Sequence, residues 1–391
     1  MKNVFLKKIS AVIGVFLSVA IILGTVPARA MPTEESVPAL ELDCKSAILI
    51  EASTGKVLYE KDADMALPPA SVTKVMTLLL VMEAIEEGRI KYGDSVRASA
   101  NACSMGGSQI YLKENEEMSV EDMLKSVVIA SANDAAVALA EHIAGSEEEF
   151  VRRMNKRAEE LGMKNTRFEN TNGLDDTTDS HLTSARDIAI MSRELIKYPK
   201  ILEYSSTWMD SVRGGAFGLT NTNRLVRFYK GATGLKTGST AKAGFCISAT
   251  AERDGMGLIC VIMGAPSRDV RNAAAVRLFD YGFSNYALYR DEGGTLPPVK
   301  VAKGEQSELI VKCGGFSAVM KKSEIGAVKK EISLPEQIDA PIEKGSAVGS
   351  VIYKVGENEI GRVDIVATES VDKLDFGSAL IMLLRKCACI L

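Results

Sequence analysis

Pro69-Ala70-Ser71-Val72-Thr73-Lys74 opens the stretch that decides how this chain is read. Pro68-Pro69-Ala70 precedes a segment that reads as one helix from Val72 to Glu87, stopped by Gly88 and apolar enough to be buried on most sides. In its first turn, residues three apart share a face, so the Lys74 amine is within hydrogen-bond reach of the Ser71 hydroxyl. A serine is a poor nucleophile until a base takes its proton. A lysine can be that base only when burial or a second cation lowers its pKa. Taken alone, S-x-x-K is a pattern that many solvated helix starts share.

Two further pieces sharpen the reading. Ser131-Ala132-Asn133 falls at the junction of two helical runs and offers a hydroxyl to relay a proton and an amide to hold a substrate carbonyl. Lys236-Thr237-Gly238 closes a strand read at Thr233 to Lys236. It brings a cation that would lower the pKa of Lys74 and a hydroxyl that can bind a carboxylate. Gly238 is expected to leave room for an extended peptide along the strand edge.

Around these pieces, Ser46 to Glu51 and Lys56 to Tyr59 read as a β-hairpin. Ser119-x-x-Asp122, Ser146-x-x-Glu149 and Ser184-x-x-Asp187 are helix-start patterns. Gly244 to Ala251 and Gly257 to Met263 read as strands joined at Asp254-Gly255, and a helix follows from Asp269 to Tyr281. The order suggests an antiparallel sheet flanked by helices, with strands from distant parts of the chain paired. Gly293, Gly294, Pro297 and Pro298 mark a boundary, beyond which Val299 to Ala367 reads as a small all-β domain. The last segment, Val371 to Leu391, suits an amphipathic helix in the headgroup region; the alternative is a helix docked on the β domain. At the other end, Lys2, Lys7 and Lys8 precede the apolar run Ile9 to Val26, and Ala28-Arg29-Ala30 has the form of a signal-peptidase site. Cleavage after Ala30 and an uncleaved membrane anchor are the two readings, with Thr33 to Ala39 as a linker.

Composition narrows the function. A chain of 391 residues suggests two domains, and its 46% hydrophobic content excludes global disorder. With 47 Lys plus Arg against 51 Asp plus Glu, the net charge of -4 lacks the basic stripe that attracts nucleic acid. Removing Lys2, Lys7, Lys8 and Arg29 with the signal, and no acid, takes it to -8. The seven cysteines form no C-x-x-C pair, and only His142 and His181 could supply imidazole, so metal catalysis is not expected. A Ser-His-Asp triad would have to use one of them. His142 reads as a packed or surface helix residue, and His181 as a loop-ordering hydrogen-bond partner.

In their order and settings, the three elements resemble the low-molecular-mass penicillin-binding proteins that act as serine-type D-alanyl-D-alanine carboxypeptidases. Pro69 to Lys74, Ser131-Ala132-Asn133-Asp134-Ala135-Ala136, Asn172-Gly173-Leu174-Asp175, and Gly234-Leu235-Lys236-Thr237-Gly238-Ser239-Thr240 with Ala243-Gly244 carry the resemblance. It implies an α/β fold of the α+β type, with a β-lactamase/transpeptidase-like domain whose antiparallel sheet is flanked by helices. The expected organisation is a signal peptide at 1–30, the penicillin-binding serine peptidase domain at 40–290, an all-β domain at 297–368 and an amphipathic membrane-anchor helix at 371–391.

The resemblance makes Ser71 the acylated nucleophile, Lys74 its base, Ser131 the proton relay, and Lys236 and Thr237 the binders of a terminal carboxylate. Asn133, Gly238 and Ser239 join them on the substrate side, and the N–H groups of Ser71 and Ser239 would form the oxyanion hole. Arg271 matches an arginine that lies near the carboxylate in relatives; the alternative is a surface charge at a helix start. Asn221-Thr222-Asn223-Arg224 has threonine where some relatives carry a substrate-contacting arginine, so Arg224 is given no role.

The implied substrate is a peptidoglycan stem pentapeptide ending in D-Ala-D-Ala, with no metal or organic cofactor and with β-lactams as covalent inhibitors. No E-x-x-L-N element follows Ser131, and Glu169-Asn170-Thr171 has the wrong pattern, so a penicilloyl adduct should persist. The implied location is the outer face of the cytoplasmic membrane. The rival readings are a D,D-endopeptidase, a β-lactamase, and a non-enzymatic scaffold of the wall.

Overall fold

The computed structural model describes residues 40–175 and 178–388. The expected signal at 1–30, the linker Thr33 to Ala39 and the last residues from Cys389 lie outside the described residues. The chain divides into two units, Met1–Glu41, of which residues 40 and 41 are described, and Leu42–Leu391, which holds every element named below.

Five strands build the sheet that carries the site: β1 (Ser46–Glu51), β2 (Val57–Lys61), β3 (Ala232–Thr240), β4 (Gly244–Arg253) and β5 (Met256–Ala265). Their order is β2-β1-β5-β4-β3, antiparallel throughout, so β1 pairs with a strand some two hundred residues later, Ser46 opposite Met263 and Glu51 opposite Leu258. Period-two alternation sends Ile48, Ile50, Ile259, Val261 and Met263 into the main helical core. The opposite face, with Leu49 and Leu258, lies against Gly282 of a long helix. The strand β3, with Lys236 and Thr237, is left at the sheet's edge.

The helices are α1 (Lys74–Glu86), α2 (Asn133–Ala144), α3 (Glu147–Glu160), α4 (Ala185–Leu195), α5 (Pro199–Ser206) and α6 (Arg268–Asn285). The Oγ atoms of Ser146, Ser184 and Ser267 accept the amides of Glu149, Asp187 and Val270, each satisfying an orphan donor at a helix start. Ser119 does the same for the short helix Val120–Lys125. The helix read from Val72 begins instead at Lys74, because Ala70–Thr73 winds into a tighter 3-10 turn after the two prolines. Nine side chains of α1 are buried, Lys74 among them, with Val75, Met76 and Leu79 part of the main core.

The domain boundary differs from the expected one. Asn285 leads directly into β6 (Tyr286–Asp291), and the chain continues through β7 (Gly294–Ala302), β8 (Glu308–Cys313), β9 (Phe316–Lys321), β10 (Val328–Ser333), β11 (Gln337–Asp339), β12 (Ala347–Val355) and β13 (Asn358–Ala367). Strand β6 pairs with β9 and so belongs to the β domain, while Pro297 and Pro298 lie inside β7. The β7–β8 register breaks between Leu296 and Val299, which accommodates two residues with no N–H to donate. The remaining strands form a six-stranded sheet ordered β10-β12-β13-β8-β7-β11 around Val299, Leu309, Val311, Val351, Tyr353 and Ile365.

Residues expected to begin the terminal helix are tied to this sheet instead. Val371 and Ile342 exchange two backbone bonds of 2.9 Å, and Leu374 N donates to Lys303 O. The helix proper, α7 (Phe376–Ala388), exposes Phe376, Leu380, Ile381 and Leu384. Among the described residues, no helix is long and apolar enough to cross a membrane.

Candidate active site

Ser71 stands on the 3-10 turn and Lys74 is the first residue of α1, with Lys74 Nζ 2.9 Å from Ser71 Oγ. The amine also bonds Asn133 Oδ1 at 2.6 Å and the main-chain oxygen of Asn172 at 2.8 Å. Lys74 is fully buried. Burial pushes its pKa well below the ordinary lysine value, the neighbouring Lys236 cation adds to that, and Asp134 opposes it. A neutral amine has two N–H donors and one lone pair. Asn133 and Asn172 take the two donors, which leaves the lone pair facing the Ser71 hydroxyl.

Ser131 sits between a single π-type turn, Ser126–Ala130, and α2, with φ of 65°. That left-handed conformation turns its hydroxyl towards β3, where Lys236 Nζ donates to Ser131 Oγ at 2.8 Å. Lys236 is also buried, and burial, followed by the charge of Arg271, lowers its pKa to about 7. Thr237 donates its hydroxyl to Thr222 Oγ1 at 2.8 Å.

A cleft of about 590 Å³ is lined by Ser71, Ser131, Thr237, Gly238, Ser239 and Arg271, together with Trp208, Thr222 and Arg224. Ser71, Ser131, Thr237, Ser239 and Arg271 thus share one cavity, with Lys74, Asn133 and Lys236 bonded beneath it. Arg271 is no surface charge. It is 3% exposed, its Nη1 donates to Cys246 O at 3.3 Å, and burial lowers its pKa to about 10.

Gly238 requires a correction. A Cβ there would fall 2.8 Å from Ser71 N and 2.9 Å from both Pro69 O and Val72 N. The missing side chain therefore makes room for the nucleophile turn against β3, and not for a peptide along the strand edge.

Two contributors, the Asn172 carbonyl and Trp208, were given no role by the sequence reading. The Asn172 carbonyl that holds Lys74 is aimed by Asn170, whose Oδ1 accepts Gly173 N at 2.7 Å. Trp208 lines the cleft from a loop with no pattern of its own, and Arg224, weighed in the sequence and given no role, lines it from a turn. Besides the resemblance at Asn172-Gly173-Leu174-Asp175, the cluster of asparagines before one glycine, Asn170-Thr171-Asn172-Gly173, hints at a built turn.

His142 is exposed on α2. His181 is 2% exposed and braces the nucleophile turn: its Nε2 lies 2.7 Å from Thr73 Oγ1, and its Nδ1 accepts Glu169 N at 3.0 Å. Burial lowers its pKa to about 4, below the 6.5 of an unfolded histidine. The native state therefore resists the proton that the unfolded chain takes up as pH falls from 6.5 towards 4. Relative to pH 7, this should cost about 3 kcal/mol of stability by pH 4, and His181→Gln should remove that part of the acid sensitivity. Denaturant titrations of both proteins at several pH values check this; parallel pH slopes would refute it.

Glu169 turns away from the cleft to accept Arg167 Nε at 2.6 Å. No carboxylate lines the cleft among the described residues.

Comparison with known proteins gives a consistent result. The family profile described as D-alanyl-D-alanine carboxypeptidase matches residues 31–267, and that of the penicillin-binding protein 5 C-terminal domain matches residues 283–373. D-alanyl-D-alanine carboxypeptidase DacF of Bacillus subtilis is 45% identical over 370 residues, 92% of this chain and 94% of that protein. The crystal structure of penicillin binding protein 5 from Haemophilus influenzae superposes with a TM-score of 0.73 at 29% identity, over 85% of this chain and 98% of that one. Penicillin-binding protein D2 from Listeria monocytogenes, solved in its ampicillin-bound form, covers 63% of this chain and 100% of its own at 32% identity and a TM-score of 0.58.

Proposed function

The chain belongs to the D-alanyl-D-alanine carboxypeptidases, serine-type peptidases, and from that premise we propose that it trims peptidoglycan stem pentapeptides through an acyl-enzyme on Ser71. The observation that carries this reading is the buried Lys74 amine, 2.9 Å from the Ser71 hydroxyl, with its other two bonds taken by oxygen acceptors. Lys74 accepts the serine proton as Ser71 attacks the carbonyl of the penultimate D-alanine. The N–H groups of Ser71 and Ser239 receive the developing oxyanion. Ser131, held by Lys236, relays a proton to the departing D-alanine amine, and water then releases the shortened peptide. Lys236, Thr237 and Arg271 face the terminal carboxylate. A β-lactam acylates the same serine, and because no carboxylate lines the cleft among the described residues to speed the attack of water on that bulkier adduct, it outlasts the peptidyl acyl-enzyme.

The same reading covers location. The basic and apolar leader directs secretion, and α7 lies on the outer face of the cytoplasmic membrane, burying the side on which Phe376, Leu380, Ile381 and Leu384 are exposed.

Two measurements test the proposal. Wild type should release D-alanine from a D-Ala-D-Ala pentapeptide and take a β-lactam adduct on the peptide containing Ser71, and Ser71→Ala should do neither. An adduct on another residue would end the mechanism. Truncation after Asp375 keeps the Val371 and Leu374 backbone bonds and should release the protein from membranes with its activity intact. A truncated protein that still sediments with membranes would exclude α7 as the anchor.

A further inference from the structure

A second groove, of about 570 Å³, opens beside the catalytic cleft, with Tyr111, Lys113, Glu114, Asn115, Arg213 and Phe217 in its walls. Two segments carry both sites. In the first, Ser108 lines the cleft and Tyr111 the groove. Its Gly106 O accepts Asn133 Nδ2 at 2.6 Å, from the amide expected to hold a substrate carbonyl. The second is the hairpin of strands Met209–Val212 and Phe217–Thr220. Thr220 at its base lines the cleft, and Arg213 and Phe217 near its tip line the groove. The run of strand from Thr220 to Phe217 sets the two sites about 10 Å apart.

The groove's walls are anchored from below. Asp134, 1% exposed, accepts Ile110 N and Leu112 N at 3.1 Å, and Arg213 donates to Ile110 O at 2.8 Å and to Glu116 Oε1 at 2.6 Å. Tyr111, between the two anchored residues, has φ of 58°, and Asn115 and Arg213 are left-handed too, at 68° and 55°. Such backbone is costly for a bulky side chain and gathers at active sites and ligand clamps. In this chain it recurs at Ala70 and Ser131, on the turns of the catalytic cleft. The result at Tyr111 is a ring left 70% exposed, with the half-buried Phe217 edge-on at 6.4 Å between centroids. Exposed Lys113, Glu114 and Asn115 add hydrogen-bonding groups at the rim.

An aromatic face beside donors and acceptors suits an amino sugar, whose C–H groups pack on the ring while its hydroxyls and amide bond the rim. Size points the same way. The volume is that of a small-ligand site, whereas a stable protein partner would cover about 800 Å² of this surface. A stem pentapeptide places four residues between the attacked carbonyl and its sugar, a span of up to about 14 Å. The sugar therefore reaches the groove while its peptide occupies the cleft.

We propose that this groove binds the amino sugar to which the stem peptide is joined, with Tyr111 as the ring on which it packs. The inference rests on the carboxypeptidase reading and extends its substrate from a free peptide to a peptide carried on glycan.

The test is steady-state release of D-alanine by full-length wild type, Tyr111→Ala and Tyr111→Phe from two substrates. One is a free stem pentapeptide, and the other is the same peptide joined to its N-acetylglucosaminyl-N-acetylmuramic acid disaccharide. Wild type should favour the disaccharide substrate by about 3- to 10-fold in kcat/KM, mostly through KM, the factor that one aromatic contact supplies. Tyr111→Ala should abolish that preference, and Tyr111→Phe, which keeps the ring face, should retain it. Equal kcat/KM for both substrates in wild type would overturn the assignment and leave the groove to some other partner. So would a Tyr111→Ala enzyme that keeps the full preference while slowing both substrates alike, as a structural role would. A wild type that releases no D-alanine from either substrate would instead sink the carboxypeptidase reading itself, so the two failures are distinguishable.

Discussion

Lys74→Ala should react with a β-lactam about 100- to 10,000-fold more slowly than wild type, the range that removal of a positioned general base produces. Among the described residues, the basic group within hydrogen-bond distance of the Ser71 hydroxyl is this amine. Lys236 cannot substitute, because its Nζ is held by Ser131 and by the Thr237 carbonyl. Lys74→Arg should be as inert as the alanine variant, although it keeps a cation, because a guanidinium cannot accept a proton near neutral pH. Intact-mass spectrometry over time measures both. Full-rate labelling of either variant would remove Lys74 as the base.

Gly173→Ala should be almost as damaging without touching a reacting group. Gly173 has φ of 85°, and a Cβ there would fall 1.9 Å from Ala70 O and 2.8 Å from Thr73 Oγ1. The contact is with main chain, so no side-chain rotation relieves it, and the turn bearing Ser71 must shift. Overpacking and a left-handed alanine together should cost about 3 kcal/mol or more. Acylation should slow by at least 100-fold, as misplacement of about 1 Å can produce. Gly93→Ala, where nothing lies within 4 Å of the added carbon, is the control and should behave as wild type. Equal midpoints in thermal unfolding for the two variants would refute the packing argument.

Some features were legible because their causes are local. The caps at Ser119, Ser146 and Ser184 each reach three residues ahead, and the hairpin of β1 and β2 is set by the short turn between them. Other features depended on what lies across a gap. Glycine at 238 announces space, yet nothing in the chain says whether a ligand or the Pro69–Val72 backbone fills it. Pro297 and Pro298, with Gly293 and Gly294, read as a boundary because proline breaks ladders, and only the pairing of β6 with β9 shows that the strands of the β domain begin before them. The Asn172 carbonyl could not be read at all, since every residue has a carbonyl and its aim comes from the surrounding turn.

The sequence alone determined which groups are available and which are neighbours by helical geometry, above all a hydroxyl and an amine one turn apart at residues 71 and 74. Tertiary structure alone decided that the amine can act as a base. Its two other partners come from 59 and 98 residues away, and those segments exclude the water that would otherwise keep it charged. A proton affinity depends on solvent and neighbouring charge, and both are set by contacts between remote parts of the chain.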